Sequence, residues 1–219
     1  MLTHLMAPRK KDYIQRAHVN PFSDRNIYIP DSPSSIDWCK YFNNPHQPKF
    51  LDLGCGYGKF LINLSKNYQN ANIVGMEIRN KVAQYVIDKI KADPIIRNAV
   101  CFHTNGMVFL QNFFEKSSLE KIFILFPDPQ FKKRKKKARI LCTQTLDIFY
   151  YLLCDKGRLY LSTDVEELGN YMETCVLDHK GFKKIENDVL IEEITKGTDE
   201  SLRAGSKVLK CFGYVFEKI

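Results

Sequence analysis

Asp128 stands between two prolines, in Phe126-Pro127-Asp128-Pro129, at the end of an apolar run that begins at Ile122. Each proline fixes its own φ, and Pro129 keeps Asp128 out of the helical region. An acid is therefore presented in a stiff, extended loop at a strand's end. Six consecutive cations follow, Lys132, Lys133, Arg134, Lys135, Lys136 and Lys137, with Arg139 just beyond. A fixed acid beside such a run suits a polar reaction centre whose substrate is a polyanion, nucleic acid above all. The plainer readings are a solvated charged loop and a turn acid capping nearby N–H groups.

A second constellation begins at Gly54-Cys-Gly-Tyr-Gly58, which follows a short apolar stretch and precedes residues with helical spacing. Gly54, Gly56 and Gly58 let backbone approach a nucleotide closely, with helix N–H groups facing it. Glu77 lies 23 residues beyond Gly54, at the end of the next apolar stretch. An acid at that place can accept from both hydroxyls of a ribose. A dinucleotide and S-adenosylmethionine both fit. The third glycine comes one residue earlier than in GxGxxG, and that tighter turn favours the ligand without a pyrophosphate. Arg79 can border the adenine or a carboxylate, and Asn105-Gly106 the adenine edge. A helix N-cap is an equal reading of Asn105.

These residues need elements to position them. Apolar runs predict strands over 50–53, 72–77, 99–103, 121–126 and 158–163, with two later ones near 182–185 and 208–216. Helical spacing falls between them, over 60–64, 81–91, 107–114, 141–153 and 165–179. Gly157 is expected to close the fourth of these helices and Asp164 to cap the fifth. Thr198 and Glu200 fall in a polar loop bounded by Gly197. Alternating strands and helices predict an α/β domain with a mostly parallel sheet. Gly54–Gly58, Glu77, Asn105, Asp128 and Asp164 then all sit at carboxyl ends of strands, where such sheets bind ligands. Residues 1–46 are expected to form an irregular, proline-punctuated arm packed on the catalytic domain of 47–219. A short helix is expected from Ser35-Ile-Asp-Trp38.

The bulk numbers agree with one globular domain: 219 residues, 44% hydrophobic and 26% charged. The net charge is +8, and Lys121 to Ile140 alone holds eight Lys or Arg against one Asp. Charge concentrated this way implies a directed contact rather than general solubility. Seven cysteines, an odd number with no C-x-x-C pair, argue against a disulfide framework or zinc site and for a reducing compartment. No run approaches a membrane span, and Met1-Leu-Thr-His-Leu-Met6 is too short for a signal core. A cytosolic or nuclear protein is expected.

With these motifs in place, the chain resembles the tRNA (guanine-N7-)-methyltransferases, specifically the eukaryotic catalytic subunits. The carriers are Arg16-Ala-His-x-Asn-Pro21, Gly54-Cys-Gly-Tyr-Gly58, Glu77-Ile78-Arg79, Leu125-Phe-Pro-Asp-Pro129 and the basic segment after it, with Thr198-Asp-Glu200 near the end. The resemblance implies a class I S-adenosylmethionine-dependent, Rossmann-like methyltransferase fold, seven-stranded and mostly parallel, with the last strand antiparallel. It implies that Gly54, Glu77, Ile78, Arg79, Asn105, Gly106 and Leu125 line the cofactor site, with Thr198 and Glu200 bordering it. Asp128 would be the active-site acid. It further implies methylation at position 46 of tRNA, a WD40 β-propeller partner subunit and a nuclear location. The sequence departs from the family pattern at Gln130, where His or Trp is usual, at Gly106 in place of Ala, and at Ala138 in place of an aromatic. A non-catalytic RNA-binding subunit and a small-molecule methyltransferase are the competing classes. The intact glycine turn, Glu77 and Asp128 oppose the first, and the lysine run opposes the second.

Overall fold

A computed structural model describes residues 7–15, 27–44, 46–129, 139–206 and 210–219. The chain enters the sheet at β1 (Phe50–Leu53), followed by α1 (Lys59–Asn67), β2 (Ile73–Glu77), α2 (Asn80–Ala92), β3 (Ala99–His103) and α3 (Gly106–Phe113). Then come β4 (Leu119–Leu125), α4 (Thr143–Leu152), β5 (Leu153–Thr163), α5 (Glu166–Asp178) and β6 (Phe182–Lys184). Two short helices, α6 (Ile191–Lys196) and α7 (Asp199–Ser206), lead to β7 (Phe212–Lys218).

The strands lie in the order β3-β2-β1-β4-β5-β7-β6. All pairings are parallel except those of β7, which runs antiparallel to both β5 and β6. β1 has β2 on one side and β4 on the other, so the winding reverses there. Ligands of such sheets bind in the crevice at that reversal, beyond the carboxyl ends of the strands.

Both faces of the sheet are covered, which is why its strands read as continuous apolar runs. Leu51, Val74, Ile122 and Leu161 belong to one core with Phe113 of α3, Leu146 of α4 and Met172 of α5. Phe50, Ile73, Phe123 and Tyr160 belong to the other, with Leu61 of α1, Val86 of α2 and Ile194 of α6. Phe123 stacks on Tyr160 with centroids 4.7 Å apart. Burial of large aromatics of this kind dominates a core's energy.

Before β1 the chain runs through short 3-10 helices at Pro33–Ser35 and Trp38–Lys40, and Trp38 is buried. Trp38 stacks on Phe42 and Phe114, and Tyr28 stacks on Phe102 of β3. The Tyr28 amide donates to the His103 carbonyl at 2.9 Å. This hydrogen bond occupies part of the open edge of β3, an edge that would otherwise offer unpaired groups.

Three expectations are corrected. Gly157 does not end α4, because β5 starts directly at Leu153 and Gly157 lies within it. The register shifts between Leu119 and Lys121 and becomes regular from the Lys121↔Arg158 pair, which is where the sequence pattern becomes legible. Asp164 does not cap α5; the Thr163 hydroxyl accepts from the Val165 amide instead, at 3.1 Å. The polar loop expected around Thr198 and Glu200 is the junction of α6 and α7. Residues 16–21, carrying the Arg-Ala-His-x-Asn-Pro motif, lie outside the described residues, as do 208–209 of the expected last strand.

Candidate active site

The glycine turn bends back over β2. The amides of Gly54 and Cys55 both donate to the Met76 carbonyl, at 2.8 and 3.0 Å. Gly58 has φ +72°, and a Cβ there would stand 2.7 Å from Val86 Cγ1. The residue must therefore be glycine twice over, for the left-handed backbone and for the approach of α2. Gly56 is also left-handed, and a Cβ there would face Glu200 Oε1 at 3.6 Å and Arg79 Nη2 at 3.8 Å. Three parts of the chain far apart in sequence thus meet at one glycine.

Glu77 is buried, and both its oxygens are engaged by Arg79. Oε1 accepts from the Arg79 amide at 2.8 Å and from Nε at 3.1 Å, and Oε2 accepts from Nη2 at 2.8 Å. A bidentate guanidinium–carboxylate pair holds both planes fixed. On the far side, Asn105 accepts from the Met107 amide at 3.1 Å and so caps α3, as one of its two readings anticipated. Gly106 begins α3, against Leu53 and Met76. Leu125 ends β4 opposite Ser162, and the Ile78 carbonyl lies 3.1 Å from His103 Nε2.

The residue the sequence reading missed is Asp52, the third of Phe50-Leu-Asp-Leu53. It is 2% exposed, and its Oδ2 has no hydrogen-bond partner among the described residues. Burial pushes its pKa up to about 8, and the charges of Glu200 and Glu77 add to the effect. An acid inside a strand buried on both faces was the available signal. Thr104 and Ser162 hold the other buried side-chain oxygens without partners among the described residues. They stand just past β3 and near the end of β5. Buried polar atoms are nearly always satisfied, so three exceptions along one edge mark the place for a ligand.

The charge balance says which kind of ligand. The charges of Glu77 and Glu200 both bear on Asp52 and both on the Arg79 cation. A pyrophosphate would enter against that field. S-adenosylmethionine carries a sulfonium and an ammonium against one carboxylate, and an acidic cleft suits it. The glycine turn, Glu77 and Asn105-Gly106 stand around that cleft.

Past Leu125 the chain leaves the sheet abruptly. Phe126 has φ +51°, uncommon for a bulky residue, and its amide donates to the Ser162 carbonyl at 2.8 Å. Asp128 is exposed in the loop that follows. Residues 130–138, and with them Lys132 to Lys137, lie outside the described residues. Arg139, expected from its place in the basic segment to bind RNA, is described and is 6% exposed. Its Nε donates to the Pro129 carbonyl at 3.1 Å, and its guanidinium lies 4.4 Å from the Tyr171 ring centroid. Charge counting along a sequence does not reveal such burial, because arginine can stack on an aromatic face and still donate.

Comparison with known proteins gives the family and the fold. Residues 46–217 match the family described as "Putative methyltransferase". The tRNA (guanine-N(7)-)-methyltransferase of Meyerozyma guilliermondii is 40% identical over 94% of this chain and 83% of its own length. Those of Brugia malayi and Bombyx mori are 40% and 38% identical, covering 97% and 96% of this chain and 87% and 97% of their own. Among solved structures, the 16S rRNA methyltransferase KamB superposes with a TM-score of 0.57 at 12% identity, over 79% of this chain and 88% of its own. The aminoglycoside resistance methyltransferase NpmB1 gives 0.54 at 15% identity, over 80% and 88%. At such identities the structures establish the fold.

Proposed function

The chain belongs to the tRNA (guanine-N(7)-)-methyltransferase family, and from that premise we propose that it methylates N7 of guanosine 46 in the variable loop of tRNA, as the catalytic subunit of a nuclear complex with a WD40 β-propeller protein. S-adenosylmethionine supplies a methyl group activated on a sulfonium. The observation that carries the reading is the acidic cleft of Asp52, Glu77 and Glu200 beside the glycine turn, with Asp128 on the loop after the neighbouring strand.

Guanine N7 has a lone pair and no proton, so no residue of this chain needs to act as a base toward it. The chain's work is positioning and electrostatics. Glu77 and Arg79 hold the ribose end of the cofactor, and Asn105 and Gly106 the adenine. Asp128 accepts from guanine N1–H and the exocyclic amine, on the edge away from N7, and its charge offsets the cation that forms on the alkylated base. Extracting the base from its stack costs a few kcal/mol. Lys132 to Lys137 hold the phosphates meanwhile, and their contribution falls as salt rises.

The test is to incubate the chain, alone and with a WD40 partner, with methyl-labelled S-adenosylmethionine and tRNA. Label should appear as 7-methylguanosine, and borohydride reduction followed by aniline cleavage at that base should map it to position 46. Cofactor binding without label in RNA under both conditions would sink the proposal. Label at another position would overturn the assignment to the variable loop alone.

A further inference from the structure

The described segment ahead of the sheet does more than cover it. A 3-10 helix at Lys10–Tyr13 packs against α2. The Tyr13 hydroxyl donates to Asp88 Oδ2 at 2.9 Å, and its ring meets Tyr85 edge-on at 5.5 Å. Gln15 Oε1 accepts from the Lys81 amide at 2.9 Å, satisfying a free donor at the start of α2 that no side chain of its own cap serves. The segment is thereby anchored on the helix that follows Glu77-Ile78-Arg79.

From this anchor Lys10 reaches two walls of the cleft. Its Nζ pairs with Asp199 Oδ1 at 2.9 Å and lies 4.2 Å from the Tyr57 ring centroid. Tyr57 is the residue between Gly56 and Gly58, and its ring also meets Tyr85 of α2 at 5.5 Å and lies 6.0 Å from the Arg79 guanidinium. Asp199 opens α7 between Thr198 and Glu200. Thr198 and Ser201 cap that helix reciprocally, the Thr198 hydroxyl accepting from the Ser201 amide at 2.8 Å and the Ser201 hydroxyl from the Thr198 amide at 3.0 Å. Such a cap fixes the turn within itself but does not fix where the helix sits. An eight-residue helix is too short to hold its own place. Lys10 ties its first turn to the glycine turn, alongside the Arg79 guanidinium on which the charge of Glu200 bears.

We propose that Lys10 is a positioning residue for the cofactor: by holding Asp199 and Tyr57 together, it sets Glu200 over Gly56 and couples cofactor retention to the segment ahead of the sheet. The proposal rests on the reading of this cleft as the S-adenosylmethionine site. The ion pair is partly shielded, with side chains 37% and 21% exposed, and the aromatic ring adds a second attraction.

The test uses the full chain carrying Lys10→Glu, Asp199→Lys, or both, with S-adenosylmethionine binding measured by calorimetry. Each single reversal should weaken binding by about five- to tenfold. The effect should fall on the cofactor KM rather than on kcat. Amide hydrogen exchange over 198–206 should quicken in the cofactor-free single variants. The double reversal restores opposite charges and should bind better than either single variant, a coupling that general loss of packing does not produce. Single variants that bind like the parent, or a double variant as weak as the sum of both, overturn the latch and leave the cofactor site standing. A parent chain that binds no S-adenosylmethionine overturns the site itself.

Discussion

Arg139 Nε donates to the carbonyl oxygen of Pro129 at 3.1 Å, so the two ends of the basic segment are tied together by a buried guanidinium. The loop that presents Asp128 is thus fixed from below, by a cation–π stack on Tyr171, as well as along the chain, by its prolines. Arg139→Ala should lower stability by about 1–3 kcal/mol, the cost of a lost hydrogen bond from a charged group. It should lower turnover by tenfold or more and leave S-adenosylmethionine affinity unchanged. Arg139→Lys keeps the charge but not the planar fork or the stack, and should recover little. Recovery by lysine, read in initial rates, would return Arg139 to the phosphate-binding face.

Asp128 is assigned to holding the base, not to taking a proton. Asp128→Ala should cut kcat by roughly 10²–10³, in the range of a lost preorganised group. Calorimetric affinity for the cofactor should stay within about twofold. The rate of Asp128→Asn should not recover at high pH, since an amide both accepts and donates at any pH. Loss of cofactor binding in either variant would show that Asp128 belongs to the other half of the site.

Asp52 makes stability and binding pull apart. Its pKa of about 8 in the fold stands against 3.8 for an ordinary carboxyl. Its folded pKa is raised, so its contribution is fully present below about pH 4 and is lost as pH rises through about 8. The ceiling of that loss is about 6 kcal/mol, at about 1.36 kcal/mol for each tenfold change in proton affinity. Asp52→Asn should therefore be progressively more stable than the parent between pH 4 and pH 8, in thermal melts across pH. A cationic cofactor reverses the preference. At pH 7 its binding should expel close to one proton, seen as a buffer-dependent heat, and Asp52→Asn should lose both this proton and part of the affinity. Equal heats in buffers of different ionisation enthalpy would remove Asp52 from the site.

Gly106 stands where the family pattern has Ala. A Cβ at this position would overlap Leu53 Cδ1 and come to 3.0 Å from Met76 Sδ. Leu53 fills the space that a methyl group would take. Gly106→Ala alone should cost about 1–3 kcal/mol through overpacking. Adding Leu53→Val makes room, and the pair should be more stable than Gly106→Ala by denaturant midpoint.

Much of this was legible in the sequence, and the rest has definite causes. Glycines, prolines and apolar runs report local backbone, so the turn at Gly54–Gly58 and the carboxyl-end row from Glu77 to Asp128 could be located. Arg139 reads as one more cation in a basic run, and only the fold brings Tyr171 beneath it. Asp52 was hidden by the apolar strand around it, although that strand was the clue. The α6–α7 junction carried its own signal in Thr198-Asp-Glu-Ser201, a capping pattern with acids in the first turn. Lys10 carried none, since its partners lie 47 and 189 positions away.

β7 is synthesised after β6, yet it lies between β5 and β6. Until it emerges from the ribosome, β5 presents a bare edge and β6 has no strand to pair with. A nascent chain must hold five strands with a long exposed ladder beside Leu159 and Leu161, an edge able to recruit foreign strands. A sheet closed from the inside is therefore expected to pass through an edge-exposed intermediate until residue 212 is made.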